Sequence, residues 1–327
     1  MLDLVLKRVI ITGATSSLGI ALIWECINRE IEVYAIVKEN SDKIEQIPDS
    51  NLVHLIECSL DKYKSLDLTK GLSRKCDALF HLAWMSTSGD QARNCLIPQS
   101  KNISYALNAV DLAYRCGCTV YIGAGSQAEY GRTNDILTEN SICLPETAYG
   151  MAKLCAGQMT RLYCKQKGMR HIWTRILSSY GPNSQSQSLV NYTITELLAG
   201  RKPILTKCEQ IWNLIYNRDV AKALLLLAIR GHDGDNYIIG ARESHSLKEY
   251  MHELRDRVIL YKARKGIISD TPSLGIGEKE YSSDAVMNLT CSTEKLIADT
   301  GFSYEYDFSC GIDLTIEWIA NYNALIN

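Results

Sequence analysis

The chain has 327 residues, 46% hydrophobic and 22% charged, with 35 Lys and Arg against 37 Asp and Glu and a formal net charge of −2. This is an ordinary globular composition. It excludes a general electrostatic affinity for nucleic acid or anionic membrane, and no apolar run reaches membrane-spanning length.

Along the first half, short β-branched runs alternate with helical periodicity. "KRVIIT" (7–12) reads as a strand buried on both faces, and "LGIALIWECINRE" (18–30) as the helix after it. "EVYAIV" (32–37), "NLVHLIE" (51–57) and "CDALFHLA" (76–83) are further strands. A long helix is expected from about Gln91 to Cys116, then the strand "CTVYIGAG" (118–125). A helix from about Thr147 to Lys167 leads to the strand "RHIWTRIL" (170–177). Strands alternating with helices specify an α/β fold, a Rossmann-type doubly wound parallel sheet. After Gly181-Pro182 the pattern turns irregular. "NSQSQSLV" (183–190) is loop chemistry before a helix through about Leu198, and "ALLLLAI" (223–229) suits a buried helix. "TPSLGIGEKEYSS" (271–283) reads as loop and "FSCGIDLTIEWIANY" (308–322) as a closing amphipathic helix. We expect a nucleotide-binding domain over 1–177, with 212–240 returning to it, and a smaller, interleaved C-terminal α/β substrate-binding domain over 178–327.

The 12 cysteines are scattered, without the C-x-x-C or His spacing of a zinc site, so no metal is expected. Cysteine then serves as a small core hydrophobe, Cys208 included, which implies a reducing, cytoplasmic setting. The start, "MLDLVLKRVIITG", is too short and too β-like for a signal peptide.

"TGATSSLG" (12–19) directly follows the first strand and opens a helix. Gly13 permits the tight turn and Gly19 close packing of helix on sheet, while Ser16 stands where a middle glycine lets the backbone approach a pyrophosphate. A plain βα turn and a cofactor loop both fit the residues; the position favours the cofactor loop, in which the Ser16 hydroxyl and the N–H groups of the helix start face phosphate. His81 in "LFHLAW" reads as a packing residue, and Asp219 in "NRDVA" as a carboxylate stabilising a helix N-terminus.

Tyr149 and Lys153 in "ETAYGMAK" are four apart and share one helix face. A nearby ammonium favours phenolate and brings a tyrosine into range for proton exchange with a hydroxyl or carbonyl. The same spacing recurs at Tyr34/Lys38, Tyr163/Lys167 and Tyr261/Lys265. Only Tyr149 begins a helix just after a strand ending in a serine, Ser126, and ligands of doubly wound sheets bind at the carboxyl ends of strands.

The ordered set "TGATSSLG", "FHLAW" (80–84), "GSQAEYG" (125–131), "YGMAK" (149–153), "RILSSYGP" (175–182) and "NRDVAKAL" (217–224) resembles the extended short-chain dehydrogenase/reductase family of nucleotide-sugar epimerases, dehydratases and reductases. The resemblance implies that Ser126 is the catalytic hydroxyl, Tyr149 the acid/base, and Lys153 its electrostatic partner, which also holds the nicotinamide ribose. It implies that Gly13, Thr15, Ser16, Ser17, Leu18 and Gly19 surround the cofactor phosphates, with Leu82 and Ala83 along the cofactor. Trp84, Gln127, Ser178 and Arg218 would meet the substrate. Ser178 departs from the asparagine often found before "xYGP", and Ser59 from the usual aspartate near the adenine.

A 4,6-dehydratase of this family has Asp-Glu just after the catalytic hydroxyl; Gln127 and Ala128 cannot supply that acid/base pair. The expected reaction is reduction of a nucleotide-linked 4-keto-6-deoxyhexose. A 4-epimerase and a non-catalytic NAD(P)-binding regulator are the alternatives. NAD-specific members end the second strand with an acid; Val37 and Lys38 stand there instead, which points to NADP(H) over NAD(H). The helices at 91–116 and 147–167 are expected to form a homodimer through a four-helix contact.

Overall fold

The computed structural model describes residues 5–68, 75–87, 89–184, 186–268, 270–281 and 288–326. In chain order the first half runs β1 (Arg8–Thr12), α1 (Ser17–Asn28), β2 (Glu32–Val37), β3 (Val53–Glu57), β4 (Ala78–His81), α2 (Asp90–Arg93), α3 (Leu96–Arg115), β5 (Val120–Ser126), α4 (Ala148–Lys167) and β6 (Arg170–Ile176). Then come β7 (Ser178–Tyr180), α5 (Leu189–Leu198), β8 (Ile204–Leu205), β9 (Ile211–Trp212), β10 (Leu214–Tyr216), α6 (Asn217–Arg230) and β11 (Asn236–Ile239). The chain continues through β12 (His245–Ser246), α7 (Leu247–Arg264), β13 (Gly275–Ile276), α8 (Glu294–Thr300) and α9 (Phe308–Ile326).

Seven strands form one sheet in the order β11-β6-β5-β4-β1-β2-β3, every pairing parallel. Helices cover both faces, so the central strands are largely apolar; every residue of β4 and β5 is buried. At the edge, β3 leaves His54, Leu55 and Glu57 exposed, as a strand paired on one side can. One core joins the sheet to α1 and α6, and a second lies on the opposite face under α3. Chain order reverses between β1 and β4, and a ligand crevice opens at the carboxyl ends of strands at such a switch point. A third core gathers α5, α7 and α9 with β10, beside small pairings of β7 with β10, β9 with β12 and β8 with β13.

The expected helix from Gln91 to Cys116 is two pieces, α2 and α3. Pro98 explains the break: it has no N–H for the carbonyl of Asn94, and its ring clashes there, so a continuous helix fails one turn before it. By contrast α4 keeps its expected limits. The Thr147 hydroxyl accepts from Gly150 N at 3.1 Å, and Gly168 ends the helix in the left-handed conformation at φ 67°. Within the 271–283 loop, Gly275–Ile276 pairs with Ile204–Leu205; positions 282 and 283 lie outside the described residues, as do Met1–Leu4 and Gln185. No described helix is long and apolar enough to cross a membrane.

Candidate active site

The turn after β1 and the turn after β4 meet at the switch point. Gly13 has φ +70°, and a Cβ there would lie 2.7 Å from Ala83 N, so both the backbone conformation and the space require glycine. Ser16 caps α1, its Oγ accepting from Gly19 N at 3.0 Å. The Ser17 hydroxyl donates to Pro182 O at 2.8 Å and accepts from Asn217 Nδ2 at 2.8 Å. It therefore ties the glycine turn to the second half of the chain. Gly19 stands behind the turn, where a Cβ would strike Gly13 O.

A cleft of about 920 Å³ opens over this turn, lined by Gly13, Thr15, Ser16, Ser17 and Leu18, by Lys38 and Lys43, and by Leu82, Ala83 and Trp84. Its volume falls among those of cofactor sites. A backbone cradle that a Cβ would fill, at the start of a helix, fits a bound pyrophosphate. Lys43, on the loop after β2, is a lining residue that the sequence reading missed. Glu39 is drawn aside by Lys62, 2.8 Å away.

Beside Ala124 and Trp84 of the cleft lining, β5 ends in Ser126, and α4 supplies Tyr149 and Lys153. The Ser126 side chain and the phenol of Tyr149 are close enough to interact. Ser126 Oγ donates to Gln127 Oε1 at 2.5 Å, and that oxygen also accepts from Ala128 N at 2.9 Å; the Gln127 side chain is folded onto the serine. Lys153, 3% exposed, donates to Ala124 O at 2.6 Å and lies 3.7 Å over the Trp84 ring. Trp84 is fixed in turn by its Nε1–H to Gln99 Oε1 at 2.9 Å. Burial pushes the Lys153 ammonium down to about 7, opposed by the negative charge of Glu129.

The expectation that the Lys153 ammonium brings the Tyr149 phenol down is not met. Burial raises the phenol, and the groups opposing that rise are first the Arg93 guanidinium and then the Ser126 side chain, with Glu129 acting the other way. The Lys153 ammonium is engaged with Ala124 O and Trp84, 5.7 Å from the Tyr149 ring. Arg93 lies 4.5 Å over that ring.

Beneath the site, Glu129 is fully buried. It accepts from Ser126 N at 2.8 Å, Trp173 Nε1 at 3.0 Å and Arg175 Nε at 2.9 Å. Every one of these partners is a donor, the set that an ionised carboxylate takes. The group closes a capping box over the turn after Ser126 and so fixes the backbone from which the serine projects.

The remaining expected residues are dispersed. Ser178 Oγ accepts from Trp212 Nε1 at 2.8 Å. Arg218 faces a groove between α1 and α9, lined also by Trp24, Leu314 and Trp318. It stands in the first turn of α6, whose axis carries it to the α1 side of the sheet. Asp219, read as a helix N-terminal carboxylate, is in the first turn but accepts from Glu305 N and Tyr306 N at 3.0 and 3.2 Å; it pins the segment before α9. His81 is 2% exposed, and burial pushes it down to about 3, so it stays neutral. Its Nδ1 lies 2.9 Å from Thr12 Oγ1, a packing role as expected. Cys208 is buried and burial pushes its thiol up, which makes it unreactive.

A glycine turn at the switch point of a parallel sheet, with Ser126, Tyr149 and Lys153 beside Ala124 and Trp84 of its cleft, defines an enzyme of the extended short-chain dehydrogenase/reductase type. The model of the NAD dependent epimerase/dehydratase family matches residues 9–240, and the chain belongs to that family, whose members modify nucleotide sugars. Among relatives, it is 26% identical over 261 residues to the dTDP-4-dehydro-6-deoxyglucose reductase of Escherichia coli, covering 75% of this chain and 80% of the relative. It is 25% identical over 201 residues to the dTDP-glucose 4,6-dehydratase of Shigella flexneri, covering 59% of this chain and 53% of the relative. The match thus spans about half the length of that dehydratase. Among solved structures, the UDP-glucose 4-epimerase of Thermotoga maritima with UDP-glucose superposes with a TM-score of 0.83 at 19% identity, covering 97% of this chain and 100% of that one. The UDP-glucuronic acid 4-epimerase of Bacillus cereus, in complex with UDP-glucuronic acid and NAD, gives 0.79 at 16% identity, covering 97% and 100%.

Proposed function

We propose that the protein reduces the 4-keto group of a nucleotide-linked 6-deoxyhexose, with Tyr149 giving its proton to the carbonyl oxygen. The observation that carries this reading is at Ser126: the two following positions are an amide turned onto the serine hydroxyl and an alanine. Neither can take and return the protons that elimination of water requires. The reductase relative, matched over 80% of its length, supports the same reaction class. Ser126 and Tyr149 orient the carbonyl oxygen, and Trp84 walls the reacting end, with Gln127 and Ser178 reaching the sugar nucleotide. Lys153, Gly13, Thr15, Ser16, Ser17, Leu18, Leu82 and Ala83 would hold the dinucleotide, whose nicotinamide supplies hydride when bound. Arg218 meets substrate in this scheme only through movement of the α1–α9 groove.

Lys38 and Lys43 both line the β2 end of the cleft, while Glu39 is paired with Lys62. With two cations and that acid engaged elsewhere, a 2′-phosphate is favoured there, so the preferred cofactor is NADP(H), although neighbouring structures hold NAD. Met151, Met159 and Leu162 are exposed along one face of α4, with Cys155 between them. This apolar stripe is the surface through which two copies would pair. None of the 12 cysteines is disulfide-bonded, consistent with a cytoplasmic setting.

The test is incubation with NADPH and dTDP-, UDP-, CDP- and GDP-linked 4-keto-6-deoxyglucose. Reduction gives one NADPH oxidised per sugar. The epimerase neighbours favour a second reading, 4-epimerisation, which gives product from a 4-hydroxy sugar nucleotide without net oxidation. Binding without turnover of either identifies a regulator.

A further inference from the structure

Two cations stand beside the aromatic pair of Tyr149 and Trp84, and they are differently employed. Trp84 meets the Tyr149 ring edge-on at 6.2 Å. Lys153 lies over Trp84 and is hydrogen-bonded to Ala124 O. Arg93, at the end of the short helix α2, has its guanidinium 4.5 Å over the Tyr149 ring. Its Nε is buried without a hydrogen-bond partner, and no ion pair between described side chains engages it. A guanidinium whose buried Nε has no hydrogen-bond partner and whose centre sits over one phenol ring has that ring as its nearest described interaction.

We propose that Arg93 is a positioning residue for the reaction, holding the plane of the Tyr149 ring and stabilising the phenolate that forms as its proton leaves. A cation over an aromatic face is attracted by the negative face of the ring. When the Tyr149 O–H bond breaks and the proton joins the substrate oxygen, the ring gains a full negative charge and that attraction grows. The other groups facing the phenol pull in different directions. Ser126, at the end of β5, favours the phenolate; Glu129, in the turn that follows, repels it; Lys153, on α4 itself, is 5.7 Å from the ring. In the free protein Arg93 thus takes the part that helix spacing alone assigns to Lys153.

The inference rests on Tyr149 being the acid of the proposed reduction, and its test separates the two. Tyr149→3,5-difluorotyrosine, whose phenol ionises well below tyrosine, is titrated by 19F NMR in the full chain with Arg93 intact, with Arg93→Lys and with Arg93→Met. We expect the Arg93→Met midpoint to lie higher by about one pH unit or more, the usual reach of one opposite charge at this distance, with Arg93→Lys between. The basic limb of kcat/KM for reduction moves with it. Equal midpoints in the three proteins overturn the inference. So does an Arg93→Met enzyme with raised substrate KM and an unmoved titration, which makes Arg93 a substrate contact instead. Failure of the unmodified protein to turn over any sugar nucleotide removes the proposed reduction but leaves the titration readable.

Discussion

At the β2 end of the cleft Lys38 is exposed and Lys43 half-buried, whereas at the reacting end Ser126 and Lys153 are 6% and 3% exposed over a fully buried Glu129. Charge works differently in the two places. Facing water, a lysine attracts a phosphate through a high dielectric and is screened by salt. In the interior, removal from water itself decides protonation: it brings Lys153 down to about 7 and raises Tyr149. One end of the cleft can therefore choose between cofactors with modest energies, while the other sets where a proton resides with large ones.

The largest expected effect lies at the buried end. Tyr149→Phe keeps the ring, its contacts with Trp84 and the cradle, and removes the proton donor. Reduction should slow by about 10²-fold or more, the contribution of a positioned acid, with cofactor affinity almost unchanged. Near-normal turnover would place the acid elsewhere. Next comes Glu129→Leu, which leaves Arg175 buried without its carboxylate. Breaking such a pair from one side costs roughly 3–5 kcal/mol, so urea unfolding should show a loss of that order; a loss below about 1 kcal/mol would mean that water reaches Arg175.

A third prediction concerns the proton on Lys153. Its ammonium is held below the usual lysine range, so in the free protein it is charged below about pH 7 and neutral above. The 13Cε resonance of Lys153 should titrate near pH 7 while exposed lysines titrate near about 10.4. Because Glu129 favours the charged form, Glu129→Gln should move the midpoint lower. Titration of Lys153 with the exposed lysines would contradict the burial argument. The smallest effect belongs to the open end. Lys38→Ala and Lys43→Ala should each reduce the NADPH over NADH ratio of kcat/KM by about fivefold, or about 1 kcal/mol, and 1 M salt should reduce it in the unmodified enzyme. An unchanged ratio in both variants would show that neither lysine meets the 2′-phosphate.

The same contrast explains what could be read in the sequence. Ser126, Tyr149 and Lys153 were legible because strand end and helix face are local periodicities, and the turn at Gly13 because it is contiguous. The β-strands of the main sheet followed from runs such as "VYIGAG", apolar because both faces are covered. Arg93 and Lys43 were not legible: one ends the short helix α2 and the other sits on the loop after β2, and what each meets depends on how that segment folds back. The break before α3 carried its own signal in Pro98, outweighed by the helical spacing around it. The surroundings of Arg218 and Asp219 were hidden for another reason. Their adjacency to a motif says nothing about which side of α6 they occupy, and the fold gives them to the α1–α9 groove and to the backbone of Glu305 and Tyr306.

The most direct measurement follows the atoms that move. The protein is incubated with a nucleotide-linked 4-keto-6-deoxyhexose and NADPH carrying deuterium at the transferred position of the nicotinamide, beside the same reaction with Tyr149→Phe. Reduction with Tyr149 as acid predicts one deuterium at sugar C4 per NADPH consumed in the unmodified enzyme, and product formation slowed about 10²-fold or more in the variant. Sugar product without deuterium at C4, or equal rates in the two proteins, would contradict it.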